Sequence, residues 1–87
     1  MKKILAWGTG AYYERFRAEI ENEYIIIGFI DNNEKKQGDS FYKKTVYAPA
    51  DIATLNFDMI LIFSDYAQDI ARQLYVMGYK KHQIFFY

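Results

Sequence analysis

The residues best placed to do chemistry are Gly8-Thr9-Gly10-Ala11, which follow the apolar segment Ile4-Leu5-Ala6-Trp7 and precede a helical pattern. A Gly-x-Gly turn between a strand and a helix lets the backbone fold tightly and come close to a ligand. It also offers the free amides of the helix start to phosphate oxygens. Asp31 ends the next apolar segment, twenty-three residues beyond Gly8. Nucleotide-binding sheets place an acid at about 20 residues, where its carboxylate accepts hydrogen bonds from ribose hydroxyls. The expected chemistry is therefore non-covalent recognition of a phosphorylated ligand. One departure bears on it: Tyr13 stands where Gly-x-Gly-x-x-Gly has its third glycine. Either the helix sits farther from the sheet than usual, or Tyr13 turns inward as a core residue.

Other chemistries are excluded or disfavoured. The chain has no cysteine, hence no disulfide, thiolate metal site or Cys nucleophile, and its single histidine removes most metal clusters. His82 falls at the amino end of the last apolar segment, so a triad with Ser64 would have to cross the sheet. The P-loop pattern is absent. Lys35-Lys36 follow the acid and read as a solvated loop in preference to a phosphate contact, because exposed lysine is the norm. Asp65 and Asp69 read as a helix cap and a solvent-facing acid. Tyr66 reads as helix packing in preference to base stacking.

These residues must be held by secondary structure, and the hydrophobic pattern supplies it. Ile4 to Trp7 is an unbroken apolar run, as in a strand covered on both faces. Tyr12, Tyr13, Phe16 and Ile20 recur at three and four residues, predicting an amphipathic helix over 11–23. Tyr24 to Ile30 is a second strand, so the first thirty residues form a right-handed βαβ unit. Residues 34–44 read as a loop, 45–47 as a short edge strand, and 50–55 as a brief helix begun by Pro49. Asp58 to Phe63 is a buried strand. Ser64 or Asp65 is expected to cap a helix striped by Ala67, Ile70, Ala71 and Leu74, which Gly78 ends. Ile84 to Tyr87 forms a last strand. The expected fold is α/β, a Rossmann-like three-layer open sheet of four to five mostly parallel strands. Ligands bind such sheets at the carboxyl ends of the strands, where Gly8–Ala11, Asp31–Asn33 and Ser64–Tyr66 converge.

Eighty-seven residues suffice for one domain. Eleven basic and eleven acidic residues give a formal net charge of zero, which argues against nucleic acid or an anionic membrane as partner. No apolar run is long enough to span a bilayer, and the N-terminus lacks the pattern of a signal peptide, so a cytoplasmic location is expected. Aromatic residues reach 20%, nine of them tyrosine. Phe85-Phe86-Tyr87 on an edge strand would expose apolar surface and unpaired backbone. A second copy of the chain or a further C-terminal domain is the expected partner there.

Ile4 to Gly10, Ile27-Gly28-Phe29-Ile30-Asp31-Asn32-Asn33, Gly38, Val46-Tyr47-Ala48-Pro49 and Phe57 to Ile62 together resemble a small Rossmann-like domain of bacterial glycan-biosynthesis proteins. It stands at the N-terminus of sugar-nucleotide dehydratases of the CapD type, sugar acetyltransferases of the PglD type, and some methyltransferases and glycosyl- or polyol-phosphate transferases. The resemblance covers nearly the whole chain, through superfamily patterns. It implies a module that binds a nucleotide or UDP-type nucleotide-sugar and catalyses nothing by itself. Gly8 and Gly10 would lie near the phosphates, Asp31 near ribose or base, and Thr9, Ala11, Asn32 and Ser64 beside them. An NAD(P)-binding piece of an oxidoreductase, epimerase or dehydratase is the first alternative. An assembly scaffold with a vestigial site is the second.

Overall fold

A computed structural model describes all 87 residues. The strands are β1 (Lys3–Trp7), β2 (Ile25–Ile30), β3 (Ser40–Phe41), β4 (Lys44–Tyr47), β5 (Met59–Ile62) and β6 (Ile84–Phe86). Two α-helices, α1 (Ala11–Glu23) and α2 (Ala67–Val76), follow β1 and β5, and short 3-10 turns cover Pro49–Thr54 and Lys81–Gln83. The sheet order is β3-β4-β2-β1-β5-β6, parallel except for the β3–β4 hairpin.

The unbroken hydrophobicity of β1 has a direct cause. Successive side chains of a strand point to opposite faces, and both faces here are covered. Leu5 and Trp7 join one core with Ile30, Ile60, Ile62 and the α2 residues Ile70, Ala71 and Leu74. Ile4 and Ala6 join the other with Phe29, Leu61, Phe63 and the α1 residues Tyr13 and Ile20. Three layers result, with α1 and α2 on opposite faces. From β1 the chain moves outward through β2 to β3 and β4, then returns under Pro49–Thr54 to place β5 on the far side of β1. The strand order therefore reverses between β1 and β5, which is where open α/β sheets form their ligand crevice.

Tyr13 turns inward. It is 1% exposed, and its ring meets those of Phe29, Phe63 and Phe41 edge-on at centroid distances of 4.8, 5.2 and 5.9 Å. A ring thus fills the place where a glycine would bring helix and strand together.

Three details differ from the sequence reading. The sheet has six strands, because residues 40–41 pair with 44–45 inside the segment expected to be a loop, and β3 instead of β4 forms the edge. Tyr42 and Lys43 take φ of 46° and 66°, the two left-handed positions of a tight hairpin, without the Asn or Gly that usually announces one. Neither Ser64 nor Asp65 caps α2. Tyr66 occupies the N-cap with no side-chain bond, and the Ser64 hydroxyl oxygen accepts the Tyr66 N–H at 3.0 Å. At the other end Gly78, at φ 103°, stops α2 as expected. Its N–H bonds the Tyr75 carbonyl at 3.0 Å and the Tyr79 N–H bonds that of Leu74 at 3.0 Å, a Schellman closure.

Beyond β6 the sheet edge is open, and Phe85 and Phe86 are exposed. No helix is long and apolar enough to cross a membrane.

Candidate functional site

A cavity of about 550 Å³ lies over the β1–β5 reversal, at the carboxyl ends of the strands. Its volume falls within the ~300–1,000 Å³ of small-molecule sites. Every residue expected from the sequence borders it: Gly8, Thr9, Gly10 and Ala11 on the turn, Asp31 and Asn32 after β2, and Ser64 after β5. They come from three separate segments because three neighbouring strands end there.

The two glycines of the turn have different reasons to be glycine. Gly8 takes φ 131°, and a Cβ there would lie 2.3 Å from the Phe63 carbonyl oxygen, so the crossing of the β1 and β5 ends forbids a side chain. Gly10 has φ −137° and ψ −159°, extended values open to any residue, and nothing lies within 4 Å of a Cβ built on it. The fold itself makes no demand at Gly10. What its missing side chain provides is open space beside the start of α1. No side chain caps that helix; its first backbone bond runs from the Glu14 N–H to the Gly10 carbonyl at 3.2 Å. The amides before Glu14 have no intrahelical acceptor, and of their residues Ala11 and Tyr12 border the cavity.

A hydrogen-bonded chain ties the turn to the end of β2. The Thr9 hydroxyl donates to Asp31 Oδ2 at 2.6 Å, and the Lys36 ammonium donates to Thr9 Oγ1 at 3.2 Å and to the Thr9 carbonyl at 3.4 Å. Thr9 is the one buried polar residue, which explains why its hydroxyl needs partners on both sides. Asp31 Oδ1 accepts the Asn33 N–H at 2.8 Å, and the Asp31 carbonyl accepts from Gln37 Nε2 at 2.9 Å, so the carboxylate is fixed in direction. Asn32 and Gln73 of α2 exchange two amide hydrogen bonds, each of 3.0 Å, across the cavity.

Lys36 lies exposed in a turn, as the solvated-loop reading expects, and it also borders the cavity and reaches the glycine turn, a contact the sequence did not announce. Gln73 gave no signal, since a polar residue on a helix resembles any solvated one. Tyr66, 73% exposed, lies at the cavity rim instead of packing on α2. Asp65 and Asp69 also border the cavity, so its lining carries three carboxylates and one ammonium. His82 lies in a separate depression with Asp58 and Glu23, at the opposite end of the strands, and no cluster of side chains suits a metal ion.

Fold and crevice together define a Rossmann-like α/β domain. The chain belongs to the family described as C2185-like, N-terminal, whose pattern matches residues 1–85. Among solved structures, UDP-D-quinovosamine 4-dehydrogenase from Vibrio fischeri superposes with a TM-score of 0.69 at 23% identity, over 87% of this chain and 71% of that one. RSP, solved in complex with β-NAD+ and operator DNA, superposes with a TM-score of 0.66 at 16% identity, over 100% of this chain and 50% of its own. At such identities the likeness is one of fold. No curated protein matches the sequence.

Proposed function

We propose that the chain is a binding module for a nucleotide, and specifically for a nucleotide-sugar of the UDP type used in bacterial glycan biosynthesis. The observation that carries this reading is the Lys36–Thr9–Asp31 chain beside the uncapped start of α1. It sets a cation and free amides at one point, suited to phosphate, and a fixed carboxylate beside them, suited to ribose hydroxyls. The remaining carboxylates, Asp65 and Asp69, favour a ligand whose far end carries hydroxyl donors and no further negative charge. A sugar fits that description. Of the two similar structures, one is a UDP-sugar dehydrogenase and the other an NAD+ complex, which supports a nucleotide of either kind. In this reading no side chain acts on a bond of the ligand; the residues orient it.

A thermal-denaturation panel of UDP, UDP-sugars, CDP and GDP derivatives, NAD, NADP and CoA tests the proposal. Ligand at 100 times Kd adds roughly 2.7 kcal/mol of stability. A UDP-sugar is expected to raise Tm most. A shift with NAD or NADP alone would replace this reading with that of an oxidoreductase module, and no shift with any of them would overturn both.

A further inference from the structure

We propose that Asn32 and Gln73 read the base of the bound nucleotide, an inference that rests on the nucleotide reading above. Their side-chain amides face each other across forty-one residues of sequence and exchange reciprocal hydrogen bonds of 3.0 Å. Both border the cavity, and Asn32 directly follows the acid assigned to the ribose. From the glycine turn outward the lining thus changes from amides and an ammonium, to a carboxylate, to a pair of neutral amides. A nucleotide changes in the same order, from phosphate to ribose to base.

The chemistry of the pair is specific to a neutral heterocycle. A carboxamide presents a donor beside an acceptor, the arrangement that nucleobase edges also present, and Asn or Gln reads adenine in this bidentate way. A phosphate would call for cations and a sugar for acceptors, and the cavity holds those elsewhere, at Lys36 and at Asp31, Asp65 and Asp69. The pair also adds little to the fold, because both groups can exchange their mutual bonds for equally good ones to water. Without a ligand each amide satisfies the other. When a base enters, the two part and turn the same donors and acceptors onto its edge, with no polar group left unpaired.

Both amides have positioned backbones. The Asn33 N–H bond to Asp31 and the Gln37 bond to the Asp31 carbonyl shape the turn that carries Asn32. Gln73 is half-buried on α2 beside the fully buried Leu74. Neither needs a loop to order before it can act.

The test measures Kd by calorimetry for UDP, CDP, ADP and GDP, and for base-free ribose 5-phosphate, with the intact chain and with Asn32→Ala, Gln73→Ala, the double variant and Gln73→Glu. The intact chain should discriminate among the four bases by about tenfold or more, and the double variant by no more than about threefold, with ribose 5-phosphate unaffected. Gln73→Glu replaces a donor by an acceptor and should move preference toward GDP, whose base offers two adjacent N–H donors. Equal weakening of all ligands, ribose 5-phosphate included, would mean a strut that shapes the loop and would overturn the proposal. So would unaltered discrimination in the double variant, while the nucleotide reading itself would stand. Failure of every nucleotide to bind the intact chain would overturn both.

Discussion

Gly8 passes under Phe63 so closely that a Cβ at position 8 would sit 2.3 Å from the Phe63 carbonyl oxygen, whereas a Cβ at Gly10 would meet nothing within 4 Å. In the nucleotide reading the two glycines would therefore separate folding from binding. Gly8→Ala must move the β1–β5 crossing and strain a φ of 131°, and should cost about 3 kcal/mol or more. Gly10→Ala should stay within about 1 kcal/mol of the parent in urea unfolding. It should nevertheless weaken a UDP-sugar about tenfold or more by calorimetry, since the methyl group enters the space beside the helix-start amides. Unaltered affinity in Gly10→Ala would place the phosphates elsewhere.

Lys36 supplies the one cation of the cavity. Lys36→Ala should reduce affinity for a diphosphate ligand by roughly tenfold at low salt, and by less as ionic strength rises, because the lost attraction is between charges partly open to solvent. Calorimetry at two salt concentrations reads this directly. Thr9→Val removes the donor to Asp31 and strands its carboxylate oxygen; about 1 kcal/mol of stability should go with it, measured by urea unfolding.

Tyr13 gives the fold an alkaline limit. Burial, then the nearby Glu21 carboxylate 3.4 Å from its hydroxyl, push its ionisation well above the ordinary tyrosine value of 10.0. The unfolded chain releases this proton first. Tyr13 therefore stabilises the fold fully below about pH 10, and the contribution drains away as pH rises from there toward the folded-state value. Burial raises Tyr79 and Tyr87 in the same direction, and the hydrogen bond to Glu14 raises Tyr42. Tyr13→Phe should leave neutral-pH stability within about 1 kcal/mol and make the decline above about pH 10 shallower in urea titrations.

The hairpin between β3 and β4 holds Lys43 at φ 66°, a conformation that costs a side-chain-bearing residue energy. Its neighbour Tyr42 is tethered: the hydroxyl donates to Glu14 at 2.6 Å, and the Arg17 guanidinium lies 3.9 Å from the ring centroid. Lys43→Gly should therefore raise the urea midpoint by about 0.5–1 kcal/mol equivalent, with no change in slope, whereas Tyr42→Gly should not, because it gives up those contacts.

The layers were legible because their cause is local. Ile4-Leu5-Ala6-Trp7 is apolar on every residue, and a run that short, stopped by Gly8, suits a strand covered on both faces better than a buried helix. Gly8 and Asp31 were legible through their spacing, and Gly78 through its place after the α2 stripe. The hairpin was hidden because neither Tyr42 nor Lys43 is a usual turn former, and Tyr42 is held by Glu14 and Arg17 of α1 and not by its own preference for a turn. Lys36 and Gln73 were hidden for a related reason. Each is an ordinary polar residue whose role comes from what the tertiary fold sets opposite it, Thr9 in one case and Asn32 in the other.

Trp7 is the only tryptophan, is 2% exposed, and borders the cavity immediately before Gly8. The fold that holds it and the nine tyrosines is only 31 × 28 × 25 Å across, so they lie within the range over which tyrosine passes excitation to an indole. The domain thus carries its own optical gauge at the floor of the crevice. If a nucleotide binds there, its arrival beside this buried indole is expected to change the emission, and unfolding is expected to move the same indole into water, so one spectrum of unlabelled protein would report both events.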